Sequence, residues 1–283
     1  MTQFVEGLNQ VIDGYDGLIV DLWGVMHNGE SLFPEAIAAL KHAKSLDKSI
    51  TFLSNAPRRR DAALTNLIGR LGLEPSLLDN LVTSGEIAWQ AIKKGELHSL
   101  GTRAFFFGAP KDQDMKAGLS NVEFVDTLER AEWILNVGPD QGYNSTLPFE
   151  YWLKKALALQ LPMICANPDL IVQRGKSVEI CAGSIAQAYV EIGGKVSWFG
   201  KPYKAVYDEI FRSSQIPANR LLAIGDSFKT DVRGAIAHGI DVLYVNSGIH
   251  RNEISQPMDQ KKFNEMALIH QAWPTYAADK LAP

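Results

Sequence analysis

Short apolar runs alternate with longer stretches of helical periodicity at both ends of the chain. Leu18-Ile19-Val20 is a fully apolar run that stops on Asp21, and residues 34–46 then place Ala36, Ile37, Leu40 and Ala43 on one helical face. The run Ser49-Ile50-Thr51-Phe52-Leu53 ends on Ser54, and it precedes a predicted helix over 58–71 and a short strand at Leu81-Val82-Thr83. Near the other end the pattern returns, with helices predicted over 203–213 and 231–238 and strands over 221–224 and 242–245. Such alternation predicts an α/β fold on a parallel sheet. The middle has its own alternation: strands over 103–107, 133–137 and 162–166, helices over 149–159 and 184–192. The chain thus leaves one α/β unit and re-enters a matching one. Residues 1–84 and 195–283 are expected to form the core, and 85–194 an inserted domain.

Composition narrows the class. With 283 residues, 46% hydrophobic and 21% charged, the chain reads as a globular protein large enough for two domains. No apolar run approaches the roughly 20 residues of a bilayer span, and Met1 to Gly7 lack the basic and apolar regions of a secretory signal. A cytoplasmic protein that does not engage membranes is expected. Cys165 and Cys181 have no zinc-type spacing and are expected as buried structural thiols. A net charge of -4 with both signs interspersed argues against a nucleic-acid partner. A small anionic substrate would need positive charge concentrated at its site. Homo-oligomer formation stays open.

Four segments carry chemistry. Asp21 ends a strand and is followed closely by Gly24, so a carboxylate able to attack phosphorus or bind a metal sits beside a sharp turn. Ser54-Asn55-Ala56-Pro57 offers a hydroxyl and backbone amides for phosphate oxygens. Gly200-Lys201-Pro202 supplies a cation just before a helix. Gly225-Asp226-Ser227-Phe228-Lys229-Thr230-Asp231 sets two acids at a strand end and the next helix start, a hard oxygen site suited to Mg²⁺. Singly, each also reads as an ordinary turn, a solvated lysine or an acidic helix start.

In this order the four segments resemble the motifs of the haloacid dehalogenase (HAD) superfamily. More narrowly, with Asn167-Pro168-Asp169, Ala182-Gly183-Ser184-Ile185 and the long insertion, the chain resembles the class IIA branch of nitrophenylphosphatase-like, nucleotide and pyridoxal-phosphate phosphatases. The resemblance implies a doubly wound, Rossmann-like parallel-sheet core with an inserted α/β C2-type cap, acting as a Mg²⁺-dependent hydrolase of a small phosphorylated metabolite. It implies Asp21 as nucleophile and metal ligand, Ser54 and Asn55 as holders of the phosphoryl oxygens, and Lys201 as charge balance. It further implies Asp226 as a direct Mg²⁺ ligand and Asp231 as support for the metal. Asn167, Asp169, Arg174 and Tyr143 are candidates for cap residues that face substrate.

One position departs from the pattern. Most of these phosphatases read Asp-x-Asp, the second Asp protonating the leaving oxygen, whereas this chain has Trp23. A metal contact through the Trp23 carbonyl survives that exchange; proton transfer does not. His27 is the nearest replacement in sequence. Two alternatives follow: a phosphometabolite-binding protein with weakened catalysis, and a HAD dehalogenase, against which the retained Asp226 and Asp231 weigh because paired carboxylates beside Asp21 require a cation.

Overall fold

The computed structural model describes residues 2–174 and 177–283, without the side chains of His98, Gln173 and Arg174. It divides into two compact units, one of Met1–Ser54, Leu64–Val82 and Lys201–Pro283, the other of Asn55–Ala63 and Thr83–Gly200.

The first unit is built on a seven-stranded sheet. Across it run Gln3–Phe4, Tyr276–Ala278, Asp241–Val245, Leu221–Gly225, Gly17–Val20, Ser49–Ser54 and Asn80–Thr83. Gly17–Val20 and Leu221–Gly225 are buried at every residue, as strands covered on both faces by parallel crossovers must be. Pro34–Ser45 is a helix opened by a proline at its first turn, burying Ala36, Ala39, Leu40 and Ala43. The helix expected over 58–71 divides into Arg60–Leu64 and a wider turn, Thr65–Arg70, where the Leu71 amide reaches back to the Asn66 carbonyl. That extra residue per turn appears again at Phe228–Val232, ahead of the short helix Arg233–Ala237. The helix expected over 231–238 therefore starts earlier, where the Ser227 side chain accepts from the Thr230 amide.

The second unit has its own sheet, in the order Val196–Trp198, Met163–Cys165, Trp133–Asn136, Arg103–Phe107 and Glu123–Val125, all parallel, and a separate antiparallel hairpin of Ile171–Arg174 and Ser177–Ile180. Ile134, Leu153, Met163, Cys165, Ile185 and Tyr189 form its core against the helices Glu150–Ala158 and Ala182–Glu191. Cys165 is buried, which pushes its thiol up to about 12, and Cys181 is half-buried; neither is in a disulfide. The helix Ser84–Lys93, not among the elements predicted above, buries Ile87, Ala88, Ala91 and Ile92 on one face and is capped by Thr83, whose side chain accepts from the Glu86 amide. Among the described residues, no helix is long and apolar enough to cross a membrane.

Residues 55–63 are tied into this second unit by arginines. The Arg59 guanidinium lies 3.4 Å from the Trp89 ring centre and its Nε donates to Glu86 at 2.6 Å. Arg58 Nε is 3.5 Å from Asp112 Oδ1, a buried oxygen with no hydrogen bond among the described residues. Burial raises the Asp112 carboxyl above its ordinary value, and Arg58 offsets only part of that rise. A carboxyl raised on folding makes the native state bind more protons than the unfolded chain, so stability falls as pH climbs from the ordinary aspartate value through the folded one. Asp112→Asn is expected to show a melting temperature that gains on the parent between about pH 3 and pH 7; a difference that stays flat with pH refutes this.

Candidate active site

Three central strands of the first unit end together. Val20 pairs with Ile224 on one side and with Phe52 on the other, and Gly225 pairs with Tyr244. The Asp21 amide extends the ladder by one bond, donating to the Ile224 carbonyl at 2.9 Å. Gly17–Val20 lies between Ser49–Ser54 and the much later Leu221–Gly225, so the sheet reverses its winding direction there. Open α/β sheets bind ligands at that switch point, beyond the carboxyl ends of the strands. Asp21 and Asp226 both leave the sheet there, and Ser54 ends the neighbouring strand.

Carboxylate oxygens of Asp21, Asp226 and Asp231 all lie within 4.8 Å of one another. The three side chains are buried, as is Lys201 at 3% exposure. Lys201 Nζ donates to Asp21 Oδ1 at 2.5 Å, to Asp231 Oδ1 at 2.7 Å and to the Leu53 carbonyl at 3.2 Å. One ammonium against three carboxylates leaves an excess of buried negative charge. Burial, then the charges of Asp21 and Asp231, push the Asp226 carboxyl well above the usual range. A divalent cation would relieve that excess, and three oxygen donors beside a fixed ammonium fit Mg²⁺.

The surrounding backbone is shaped to the acids. Asp226 Oδ2 accepts from the Ile249 amide at 2.6 Å. A Cβ on Gly248 would fall 1.6 Å from that oxygen, and one on Gly24, whose φ is +83°, would fall 2.4 Å from it. Both positions require glycine. Asp231 Oδ2 accepts from the Ser227 amide at 3.2 Å, and a Cβ on Gly225 would meet Asp231 Cγ at 2.2 Å. Gly24 was readable from sequence as a turn. The Gly248-Ile249 contribution was not, although Ser247-Gly248 just past a strand is a turn signal that marks a loop at this sheet edge.

Trp23 is half-buried and belongs to a braced loop. Its indole meets the His27 ring edge-on at 5.2 Å, and a Cβ on Gly29 (φ +91°) would fall 2.4 Å from the indole. Arg70 closes the loop by donating to the Gly29 carbonyl at 2.9 Å. His27 is buried, and its Nδ1 accepts the Gly29 N–H at 3.0 Å, which requires that nitrogen to be unprotonated. Burial, helped by the Arg70 charge, lowers the imidazole to about 4.

Asn55 belongs to the second unit, one residue past Ser54. Its Nδ2 donates to Asp169 Oδ1 at 2.7 Å, and the Asp169 amide donates to Asn167 Oδ1 at 3.0 Å. The Gly183 amide completes the knot on the Asp169 carbonyl at 3.1 Å. Asn55, Asn167 and Asp169 are thus one hydrogen-bonded set. Tyr143 packs its ring on Phe149, and the Arg174 side chain lies outside the described residues.

A sequence model described as haloacid dehalogenase-like hydrolase matches residues 18–124, and one described as HAD-hydrolase-like matches residues 198–282. The chain is 22% identical over 246 residues to 5'-nucleotidase YutF of Bacillus subtilis, covering 84% of this chain and 90% of that protein. It is 22% identical over 262 residues to 4-nitrophenylphosphatase of Schizosaccharomyces pombe, covering 86% and 88%. A crystal structure of a haloacid dehalogenase-like family hydrolase from Brucella suis 1330 superposes with a TM-score of 0.85 at 31% identity, over 99% of this chain and 100% of that one. Identity at that level along the whole length, with the acidic cluster and lysine at the switch point, means that the chain belongs to the haloacid dehalogenase-like hydrolases, with a doubly wound core and an inserted α/β cap of the class IIA type.

Proposed function

We propose that this protein acts in the cytoplasm as a Mg²⁺-dependent phosphatase of a small phosphate monoester, a sugar, nucleotide or cofactor phosphate, through a phosphoryl-aspartate at Asp21. The observation that carries the reading is the Asp21 carboxylate, held by Lys201, with carboxylate oxygens of Asp21, Asp226 and Asp231 within 4.8 Å of one another. The names of the nucleotidase and nitrophenylphosphatase relatives support the substrate class.

In this reading Asp21 attacks phosphorus, the bond from phosphorus to the ester oxygen breaks, and the ester oxygen leaves with the electron pair and takes up a proton. Water then cleaves the acyl phosphate, releasing inorganic phosphate and restoring the carboxylate. Asp21, the Trp23 carbonyl and Asp226 would hold Mg²⁺, supported by Asp231; when bound, the ion supplies Lewis-acid stabilisation of the phosphoryl charge. Lys201 offsets the charge of Asp21 and of the incoming phosphate. Ser54 and Asn55 hold the transferring oxygens, and Asn167 and Asp169 orient Asn55 through the hydrogen bonds described above. His27 braces the loop: a neutral imidazole whose Nδ1 is already accepting a backbone proton is poorly placed to act as an acid.

With Trp23 in place of the acid, turnover should favour leaving groups that need little protonation. General acid catalysis is typically worth about 10²- to 10⁴-fold. Aryl and acyl phosphates should therefore be hydrolysed much faster than alkyl phosphates, and Trp23→Asp should raise the alkyl rate selectively, by at most that factor. The deciding quantity is the ratio of the two rates in each variant, since a folding defect lowers both. An unchanged ratio with intact folding means that protons come from elsewhere.

Activity is expected to require Mg²⁺ and to disappear in excess chelator; full activity with chelator would move the assignment to dehalogenation. Asp21→Asn should abolish turnover while leaving the melting curve in place, and wild-type rates in that variant would remove Asp21 as nucleophile. Metabolite binding that depends on Mg²⁺ but gives no turnover would instead identify the weakened, ligand-binding form.

Gly248→Ala places a methyl where the Asp226 carboxylate stands. Mg²⁺ affinity is expected to fall by about 10- to 100-fold, the range for lost outer support of a metal site. Calorimetric titration giving the parent affinity would show that the loop does not set the acid's position.

A further inference from the structure

Lys201 and Asp231 meet at 2.7 Å, yet they stand at the entries of different helices, Lys204–Ser214 and Arg233–Ala237. Tyr207, in the first of these, is fully buried. Its ring stacks on the His238 imidazole with centres 4.2 Å apart and planes 17° from parallel. His238 Nδ1 lies 2.7 Å from the Gly234 carbonyl, and because a carbonyl only accepts, that nitrogen carries the proton and the ring plane is fixed. A Cβ on Gly234 would fall 2.1 Å from the Tyr207 hydroxyl oxygen and 3.0 Å from Pro202 Cα. The phenol tip and the Lys201-Pro202 turn therefore rest side by side on one bare Cα. Burial raises the phenol far above its ordinary value, and the nearby Asp231 adds to the rise, so the hydroxyl stays neutral beside the ion cluster.

We infer that Tyr207 is a positioning residue: keyed into the gap at Gly234 and backed by His238, it sets the spacing of Lys201 and Asp231 and so readies the Asp21, Asp226 and Asp231 cluster for a divalent cation. The inference rests on the Mg²⁺ reading of that cluster. An ordinary core tyrosine would affect folding alone; a positioning residue also affects the metal.

The test measures Mg²⁺ affinity of the full chain by calorimetric titration, with kcat and KM on 4-nitrophenyl phosphate and the melting temperature alongside. The variants are Gly234→Ala, Tyr207→Phe, the two combined, His238→Ala, and Ile236→Ala as an exposed control on the same helix. Gly234→Ala should weaken Mg²⁺ binding by about 10- to 100-fold and lower kcat, with KM within about twofold. The combined variant should recover part of that loss, because removing the hydroxyl ends the 2.1 Å contact and leaves the ring carbon at 2.9 Å and Pro202 Cα at 3.0 Å, which need only small shifts. Parent-like Mg²⁺ affinity in Gly234→Ala, or losses that simply add in the combined variant, overturn the inference. Should Gly234→Ala fail to fold, His238→Ala decides: it removes the platform from a partly exposed position and should weaken Mg²⁺ binding by several-fold or more, and an unchanged affinity overturns the inference. A parent protein that neither binds Mg²⁺ nor hydrolyses any phosphate ester removes the reading of the site, and this inference with it, before any variant is made.

Discussion

The site depends on one buried ammonium. Lys201 binds a carboxylate at the end of Gly17–Val20, another at the entry of a late helix, and the carbonyl of Leu53 on a third segment. Each of these groups is out of water, where an unpaired charge costs far more than at the surface. Removing the lysine would take from Asp21 and Asp231 the ammonium they share, a loss on the order of 3–5 kcal/mol. The same ammonium offsets part of the repulsion between the Asp21 and Asp231 carboxylates that it joins.

Much of this was legible in the chain itself. Asp21, Ser54 and Asp226 each close an apolar run, and Lys201 and Asp231 each precede a helical pattern, so their meeting at one sheet edge follows from parallel topology. The glycine of the Gly24 turn was equally visible. What stayed hidden depends on burial and on long-range approach. The neutrality of His27 comes from the packing of Trp23 and the reach of Arg70, neither of which a turn sequence reports. Gly248 and Ile249 read as an ordinary turn, and only the fold places their backbone on Asp226. Gln3–Phe4 and Tyr276–Ala278 are too short for any periodicity to announce them.

Trp23 shows what the exchange of one acid entails. An aspartate there would lose the packing that the indole supplies: the ring fills the space over Gly29 and meets His27 in the turn that begins at Gly24. The loop thus supplies rigidity at the position where the resemblance to class IIA phosphatases implies a proton donor. A preorganised backbone contributes to holding a substrate in line even where it transfers no proton.

The strand order also has a consequence for how the chain comes off the ribosome. Gly17–Val20 is made early, yet one of its two neighbours, Leu221–Gly225, follows about 200 residues later. At synthesis rates of about 5–20 residues per second that interval is roughly 10–40 s, during which an apolar strand edge has no partner on that side. The sheet from Arg103 to Trp198 can close before Leu221–Gly225 is made. Nascent chains of this architecture should therefore carry a finished inner domain beside an open, sticky half-sheet, the stage at which they most need a chaperone.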